Sequence, residues 1–292
     1  MLSQEDLADA TVSGYIFDVA SFHKWVSNIK KYPVSAEEID SIDIKAYRQY
    51  LIEKTRSKTA SVNRRIQSLK RFFNWASQKG IVKTNPAKGV RFMRRSTPTK
   101  PKALSKQEVT TILQVSGKSS HGLASRNYAL LQVMLQAGLR IGEVVNLQMR
   151  DLVIYDRTGS VRIAKGKGNK DRVIPMNATL RRALIRLIQK RESKNPEEFV
   201  FLSKRGQALT VRAAQKSVTG IVRRAKIKRI SVSAHTLRHT FATNYLKANP
   251  EHLRELAELL GHESLDTTAV YTKPSQEDLA ETVERSEINI YE

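Results

Sequence analysis

The spacing of apolar residues along the chain predicts a mainly helical protein. Apolar side chains recur every three or four positions near the N-terminus: Tyr15, Val19, Phe22 and Val26. The segment 59–80 repeats this spacing, starts with threonine and serine and stops at a glycine, as a complete helix does. Its inward face is predicted to consist of four residues: Val62, Ile66, Leu69 and Phe73. We expect the aromatic residues Phe72, Phe73 and Trp75 to belong to the core of this region and not to stack on bases.

The second part of the chain repeats the helical spacing and adds a short sheet. Helices are predicted over seven segments: 105–116, 125–137, 177–192, 210–226, 235–248, 251–260 and 275–287. Ser105 followed by Glu108 forms the pattern of a capping box, which marks the start of the first of these helices. The runs VRIA and RVIPM flank KGKGNKD and predict an antiparallel hairpin. The predicted fold class is therefore mainly α with a small antiparallel β-sheet.

A change in composition separates two predicted domains. The stretch MRRSTPTKPKALS combines two prolines, small polar residues and positive charges, which cannot build a core. We therefore predict a helical domain at 1–93, a basic linker at 94–104 and a second domain at 105–292. A chain of 292 residues is long enough for two domains that each bury a core.

Charge points to a nucleic acid partner. The formal net charge is +23 and the sequence pI is about 10.2, which favours a polyanionic partner over a merely solvated basic surface. Between residues 44 and 95, Glu53 is the sole acidic residue, against 15 lysines and arginines. One face of the first domain is thus predicted to lie on the phosphates of double-stranded DNA. Six residues are candidates for this contact: Arg64, Arg65, Lys70, Arg71, Arg94 and Arg95.

Several classes of protein are disfavoured by composition. The chain contains no cysteine, so disulfides, thiolate metal sites and thiol nucleophiles are excluded. It has no apolar run of about 18 residues and no signal-peptide pattern at its acidic start, MLSQEDLADA. We expect a cytoplasmic protein with no membrane partner. Acidic residues do not cluster with metal-site spacing, so neither a metal nor another cofactor is expected.

Two short motifs carry candidate arginines. Arg140 lies in AGLRIGE, where Gly138 and Gly142 are predicted to interrupt an apolar helix and Glu143 is placed to brace the guanidinium. In HTLRH, His235 and Arg238 are three residues apart and share one face near the positive end of a helix. His239 is expected to be a buried supporting residue. Taken singly, an arginine such as Arg140 is as often a surface residue in a tight turn.

A histidine and a tyrosine complete the candidate chemistry. Gly261 is predicted to end a helix and to place His262 in the following turn, nine residues before Tyr271. Two arginines can hold the oxygens of a phosphodiester while a tyrosine attacks it, which makes a divalent metal unnecessary. The tyrosine hydroxyl has a pKa near 10, so it needs a base, for which His235 is the candidate. A lysine can supply the proton for the leaving oxygen.

The order of these motifs along the chain resembles that of the tyrosine recombinase (phage integrase) family: Arg140, a lysine in the hairpin, HTLRH, LGH and Tyr271. AGLRIGE, AHTLRHTFAT and LLGHESLDTTAVYT resemble its motifs, over about 105–275, and 9–90 resembles its core-DNA-binding domain. The resemblance implies a SAM-like helical N-terminal domain and a mainly helical catalytic domain that form a C-shaped clamp on DNA. The compact chain is most similar to Xer-type recombinases or transposon-encoded resolvases.

The resemblance also implies a reaction. Tyr271 would form a 3′-phosphotyrosine, and strand exchange through a Holliday junction would follow within a homotetramer on two DNA sites, with or without a paralogous recombinase. The reaction would need neither metal nor ATP and would serve integration, excision or resolution. Six residues would be catalytic: Arg140, Lys167, His235, Arg238, His262 and Tyr271. Lys167 is the general acid by this resemblance, with Lys165 and Lys170 close by.

The C-terminal residues 277–292 are acidic apart from Arg285, with an apolar stripe at Leu279, Val283 and Ile288. In the family such a last helix docks on a neighbouring subunit, whereas the simpler reading is a solubilising tail. Two other functions stay open at this point. One is a type IB topoisomerase, which shares the chemistry, and the other is a non-catalytic DNA-binding regulator.

Overall fold

The computed structural model describes most of the chain. The described residues are 9–94, 103–118, 122–164, 171–189, 191, 195–227, 232–262, 265–269, 271 and 283–284. The chain divides into two compact units, Met1–Thr99 and Lys100–Glu292. Helices dominate both units, and a small antiparallel sheet lies in the second, so the predicted fold class is confirmed.

The first unit contains three α-helices among its described residues. These are α1 (Asp9–Lys30), α2 (Ser41–Glu53) and α3 (Thr59–Gln78). The apolar spacing does not single out α2, whose start is instead fixed by Asp40. The Asp40 carboxylate accepts hydrogen bonds from the backbone nitrogens of Ile42 and Asp43, at 2.7 and 2.9 Å. Such a side chain satisfies backbone donors that have no partner inside the helix.

The core of this unit forms where the three helices meet. Its fully buried side chains include the predicted inward face of α3: Val62, Ile66, Leu69 and Phe73. Phe72 and Trp75 are partly buried and pack against this cluster, in agreement with a core role. The side chain of Asn63 bonds both the nitrogen and the oxygen of Met93, at 2.8 and 2.9 Å, and so ties the chain after α3 to the helix.

The second unit holds the remaining described helices. They are α4 (Lys106–Gly117), α5 (Ala124–Gln136), α6 (Ile141–Asn146), α7 (Ala178–Ile188), α8 (Val211–Arg224), α9 (Ala234–Ala248), α10 (Leu253–Leu260) and α11 (Leu265–Ala269). The prediction of a helix to residue 192 is wrong, because α7 ends at Ile188, beyond which no apolar residue continues its buried stripe. The prediction that Gly142 interrupts a helix is also wrong, since it lies inside α6. The predicted helix 275–287 lies outside the described residues apart from Val283 and Glu284.

A three-stranded antiparallel sheet is present among the described residues of this unit. It consists of β1 (Leu152–Ile154), β2 (Gly159–Ile163) and β3 (Arg172–Pro175), in that order. β2 and β3 form the predicted hairpin, with Val161 opposite Ile174, and β1 adds a strand too short to show alternation. Val161 and Ile163 point into the core, whereas Arg162 between them is exposed, as the two-residue period of a strand requires.

Helix α5 is the centre of the second unit. Every residue from Ala129 to Leu135 is buried, so this helix is covered on all sides. It packs against α4, α7 and α9. A helix that is buried on every face is typical of such a central position, although α5 also buries the polar residues Arg126, Asn127 and Gln132. Because α9 packs on α5, the end of α5 and the start of α9 are held at a fixed separation. No helix in the described part of the chain is long and apolar enough to cross a membrane.

Candidate active site

Arg140 is held in the turn that follows α5. Gly138 has a φ of +62° there, and a side chain on it would collide with the ring of Phe241, so glycine is required. Arg140 precedes α6, and its backbone nitrogen donates to Oε2 of Glu143 at 2.8 Å. Its guanidinium donates to Oε1 of Glu143 at 3.0 Å and to the oxygen of Gly261 at 3.1 Å. Glu143 therefore braces Arg140, and one third of the arginine side chain stays accessible.

Arg238 lies in the first two turns of α9 and is almost completely buried, with 3% of its surface exposed. Its guanidinium donates to the oxygens of Gly138 and Leu260, both at 2.7 Å. Burial lowers the pKa of Arg238 to about 10, and the charge of Arg140 acts in the same direction. The group therefore keeps its charge at neutral pH. Two arginines of the candidate site thus reach the same turn, Leu260–Gly261, from α6 and α9.

His262 follows that turn and is fixed from both sides. Gly261 ends α10 in the left-handed conformation (φ +61°), and His262 comes next. Nη2 of Arg238 lies 3.0 Å from Nε2 of His262, and Nδ1 of His262 lies 2.8 Å from Oγ1 of the buried Thr268. Because a guanidinium only donates, Nε2 must accept, which assigns the proton to Nδ1. Burial and the neighbouring arginines, Arg238 first, lower the pKa of His262 to about 4, so the ring is neutral near pH 7.

Tyr271 lies beside these groups. Its ring centroid is 5.1 Å from that of His239 and 6.5 Å from that of His262, with the His262 and Tyr271 planes 11° apart. Its backbone nitrogen donates to the oxygen of Thr268 at 2.9 Å. Burial raises the pKa of the Tyr271 hydroxyl, and the charges of Arg238 and Arg140 offset part of that increase. Arg238, His262 and Tyr271 therefore share one site, and Arg140 is near enough for its charge to affect the pKa values of His262 and Tyr271.

The two histidines of HTLRH differ in environment. The side chain of His235 is exposed in the first turn of α9. Partial desolvation of the ring by neighbouring protein atoms lowers the pKa of His235, and the charges of Arg238 and Arg140 lower it further. His235 is therefore neutral at pH 7 and able to accept a proton. His239 is buried and packs against the ring of Tyr271. The sequence-based prediction of a buried supporting role for His239 agrees with this packing.

Arg172 is a site residue that the sequence reasoning missed. Its guanidinium donates to both carboxylate oxygens of Glu143, at 3.1 and 2.8 Å, and to the oxygen of Leu259 at 3.0 Å. A signal was present in the sequence, since Arg172 lies two positions before Ile174 in a strand. Residues two apart in a strand face the same side, and Ile174 is buried. An arginine on the inward face requires a partner.

Glu143 balances part of the positive charge. Burial would raise its pKa, but the hydrogen bonds and charge of Arg172, together with those of Arg140, outweigh burial and lower it. The carboxylate is therefore ionised. A cleft of about 700 Å³ opens beside Arg140 and is bordered by Glu143, Arg150 and Arg162. Within the described ranges, no group of three or more histidine or acidic side chains is arranged to hold a metal ion.

Some predicted residues lie elsewhere or outside the described part of the chain. Lys167, Lys165, Lys170 and Arg95 belong to the undescribed residues. In the first unit, Arg94 is exposed, and the ammonium of Lys70 lies over the ring of Phe92, 4.7 Å from its centroid.

Three of the predicted DNA contacts have structural partners in α1. Nη2 of Arg64 donates to Oδ1 of the buried Asp18 at 2.8 Å, and Arg65 lies 4.0 Å from the same carboxylate. The guanidinium of Arg71 lies over the ring of Tyr15, 5.1 Å from its centroid. About half of the Arg64 side chain remains exposed. These arginines therefore join α1 to α3, whatever else they contact.

Comparison with known proteins relates both units to one family. Residues 102–278 match the model of the phage integrase family, and residues 1–81 match that of the phage integrase N-terminal SAM-like domain. The chain is 34% identical to tyrosine recombinase XerC of Vibrio vulnificus over 231 residues, covering 78% of this chain and 71% of that protein. It is 31% identical to tyrosine recombinase XerD of Oceanobacillus iheyensis over 278 residues, covering 92% and 89%.

The fold is also that of solved structures. The Tn1549 transposon integrase in complex with a circular intermediate DNA superposes with a TM-score of 0.75 over 97% of this chain and 96% of that chain. The two sequences are 19% identical, so this likeness concerns the fold.

Proposed function

The chain belongs to the phage integrase family of DNA strand-breaking and rejoining enzymes, and we propose that it performs site-specific recombination with Tyr271 as its nucleophile. One observation carries the assignment of the nucleophile. The ring of Tyr271 lies beside His262, which is hydrogen-bonded to Arg238, while Arg140 bonds the residue that precedes His262. A tyrosine, a histidine and two arginines thus meet at one place.

The proposed reaction begins with attack of the Tyr271 oxygen on the scissile phosphorus. A Tyr271 O–P bond forms and the P–O5′ bond breaks, which leaves a 3′-phosphotyrosine and a 5′-hydroxyl. Charge grows on the non-bridging oxygens, and Arg140 and Arg238 would stabilise it, since preorganised charges of this kind are usually the largest catalytic contribution. The ester keeps the energy of the broken bond, so a second strand's 5′-hydroxyl can reverse the step.

Proton transfer is assigned to two further residues. The raised pKa of Tyr271 means that its hydroxyl is protonated at neutral pH and needs a base as it attacks. His235 is neutral at that pH and would take this proton. Lys167, by the motif match, would donate a proton to the leaving 5′-oxygen. His262 would contribute to binding of the phosphate.

The assembly is part of the same proposal. Exchange of two strand pairs through a Holliday junction needs four active sites, so we propose a homotetramer on two DNA sites, with or without a paralogous recombinase. In this proposal, residues 1–93 bind the core DNA, residues 105–292 carry out catalysis, and the basic linker at 94–104 joins the two. The protein would act in the cytoplasm. Arg64, Arg65, Lys70, Arg71, Arg94 and Arg95 are the proposed phosphate contacts.

The test is formation of a covalent protein–DNA complex. Duplexes that the full-length protein binds are first selected from a random library and then prepared as nicked suicide substrates, which trap the phosphotyrosine. The wild type is expected to give a denaturation-resistant complex and Tyr271→Phe none. Tyr245→Phe is the matched control, because Tyr245 belongs to the same apolar cluster but bonds Glu255. It should still form the complex.

The outcomes separate the competing functions. A complex that persists in Tyr271→Phe would show that another residue is the nucleophile. A covalent complex without recombination, accompanied by relaxation of supercoiled DNA of any sequence, would favour a type IB topoisomerase. Tight binding of the selected duplex without any covalent complex would favour a DNA-binding regulator.

A further inference from the structure

Three arginines converge on the last residues of α10 and the turn after it. The backbone oxygen of Leu259 accepts from Arg172, that of Leu260 from Arg238, and that of Gly261 from Arg140, at 3.0, 2.7 and 3.1 Å. Carbonyls at a helix C-terminus lack partners within the helix and carry its negative pole, so positive donors stabilise them. Two of these arginines belong to the proposed phosphate site, and the third does not.

Arg172 also shapes the turn before His262. A side chain at residue 261 would stand 2.8 Å from Nη1 of Arg172, so the guanidinium packs directly against the Gly261 backbone. Only 11% of the Arg172 side chain is exposed. The residue is therefore placed to hold the turn and not to contact DNA itself.

The second connection runs through Glu143. Its Oε1 accepts from the guanidinium of both Arg140 and Arg172, and its Oε2 accepts from the backbone nitrogen of Arg140 and from Arg172. Without Arg172, the buried carboxylate would keep Arg140 as its main partner, with Arg238 at 4.0 Å. An ionised carboxylate with one close partner attracts that partner more strongly, which would draw the Arg140 guanidinium away from an incoming phosphate.

We infer that Arg172 is a positioning residue for phosphate binding, which acts by holding Glu143 and the Leu259–Gly261 turn so that Arg140 and His262 face the scissile phosphate. This inference rests on the proposed function. The proposed effect of Arg172 is on the orientation of the Arg140 guanidinium, whose positive charge interacts with the negative charge of the scissile phosphate. Arg172 should therefore matter less when the scissile group is neutral.

The experiment compares two suicide duplexes of the selected sequence, one with a normal scissile phosphate and one with a neutral methylphosphonate. Single-turnover strand cleavage is measured for the wild type, Arg172→Met, Arg172→Lys and Arg140→Ala. Arg126→Met is the matched control, because Arg126 is a buried arginine of the same unit whose hydrogen bonds go to Asn127, Leu202 and Ser217. Thermal unfolding of every variant is recorded in parallel.

For Arg172→Met we expect roughly a 10- to 100-fold slower cleavage of the phosphate, since small misplacements of catalytic groups have effects of this size. The loss on the methylphosphonate should be clearly smaller, as for Arg140→Ala. Arg126→Met should change the cleavage rates of the two substrates by the same factor. Arg172→Lys keeps the charge but loses the planar guanidinium that donates to both Glu143 oxygens, so its cleavage rate should lie between those of the wild type and Arg172→Met. If the methionine variant does not fold, the lysine variant provides the test.

Equal losses of the Arg172 variants on the two substrates, as in the Arg126 control, would overturn the inference and leave the proposed function intact. Unchanged cleavage by both Arg172 variants would overturn it as well. Failure of the wild type to cleave the phosphate duplex would instead remove the proposed function, and the inference with it.

Discussion

The two glycines of AGLRIGE offer a sharp test of the geometry around Arg140. Gly138 has a positive φ, and an added Cβ would stand 2.7 Å from Cε1 of Phe241 and closer still to Cδ1. Gly142 lies inside α6, and an added Cβ would meet nothing within 4 Å. Alanine at the two positions should therefore have opposite effects on the free energy of unfolding.

For Gly138→Ala two costs combine. The left-handed conformation costs a residue with a Cβ roughly 1–2 kcal/mol. Overpacking against Phe241 costs about 1–3 kcal/mol. The free energy of unfolding should fall by about 2–5 kcal/mol, which lowers the unfolding temperature by about 4–20 °C at about 2–4 °C per kcal/mol. Gly142→Ala should instead raise the free energy of unfolding by about 0.5–1 kcal/mol, because alanine favours a helix over glycine.

Thermal unfolding of the full chain measures both effects. Cleavage of the suicide duplex adds a second readout, because the oxygen of Gly138 accepts from Arg238 and any shift of this turn moves that arginine. Gly138→Ala should therefore also cleave more slowly at a temperature where it is folded. If the two alanine variants unfold at the same temperature, the conformation and packing assigned to Gly138 are wrong.

Further predictions concern pH and charge. Because the folded pKa of His262 (about 4) lies below its ordinary value of 6.5, the unfolded chain binds the proton first, and stability should fall as the pH drops from 6.5 to 4. Unfolding of His262→Gln across that range should show a weaker pH dependence, and an equal one would count against the shift. Asp18→Asn should cost about 1–2 kcal/mol in denaturant unfolding, since it weakens the bonds between the buried Asp18 and the half-exposed Arg64, and no loss would contradict this role. Lys70→Gln and Arg94→Gln should each flatten the salt dependence of DNA binding by about 0.9 in logarithmic slope, whereas an unchanged slope would place the phosphates elsewhere.

The sequence was sufficient to predict which face of a single helix is buried, because the spacing of apolar residues within that helix identifies the face. The period of α3 identified Val62, Ile66, Leu69 and Phe73 as buried, and all four have no exposed surface. The four-residue spacing in α9 likewise predicts an apolar stripe of Leu237, Phe241 and Tyr245, of which the first two are buried and Tyr245 is partly buried. Such residues are predictable because a regular helix presents every third or fourth side chain to the same neighbour.

Pairings between distant segments were not predictable in this way. Arg64 carries a charge on the outer side of α3, but the buried Asp18 that binds it lies 46 positions earlier in the chain. Arg172 and Glu143 are 29 positions apart and come from a strand and a helix. Periodicity shows which side of an element is inward, but not which donor or acceptor arrives from another element. The assignment of basic residues to DNA therefore remains a proposal.

The tautomer of His262 constrains the proposed mechanism further. Arg238 donates to Nε2 of this ring, and Nδ1 donates to Thr268, so the ring has no hydrogen on the nitrogen nearest to Arg238. A phosphate oxygen can accept a hydrogen bond from Nε2 only after that nitrogen gains a proton and Arg238 turns its Nη2 to another acceptor. The phosphate itself supplies both conditions, since it is an acceptor for Arg238 and its negative charge raises the pKa of a nearby imidazole. Phosphate binding is therefore coupled to a hydrogen on Nε2 of His262, gained either by proton uptake or by a change of tautomer in which the Thr268 hydroxyl donates to Nδ1.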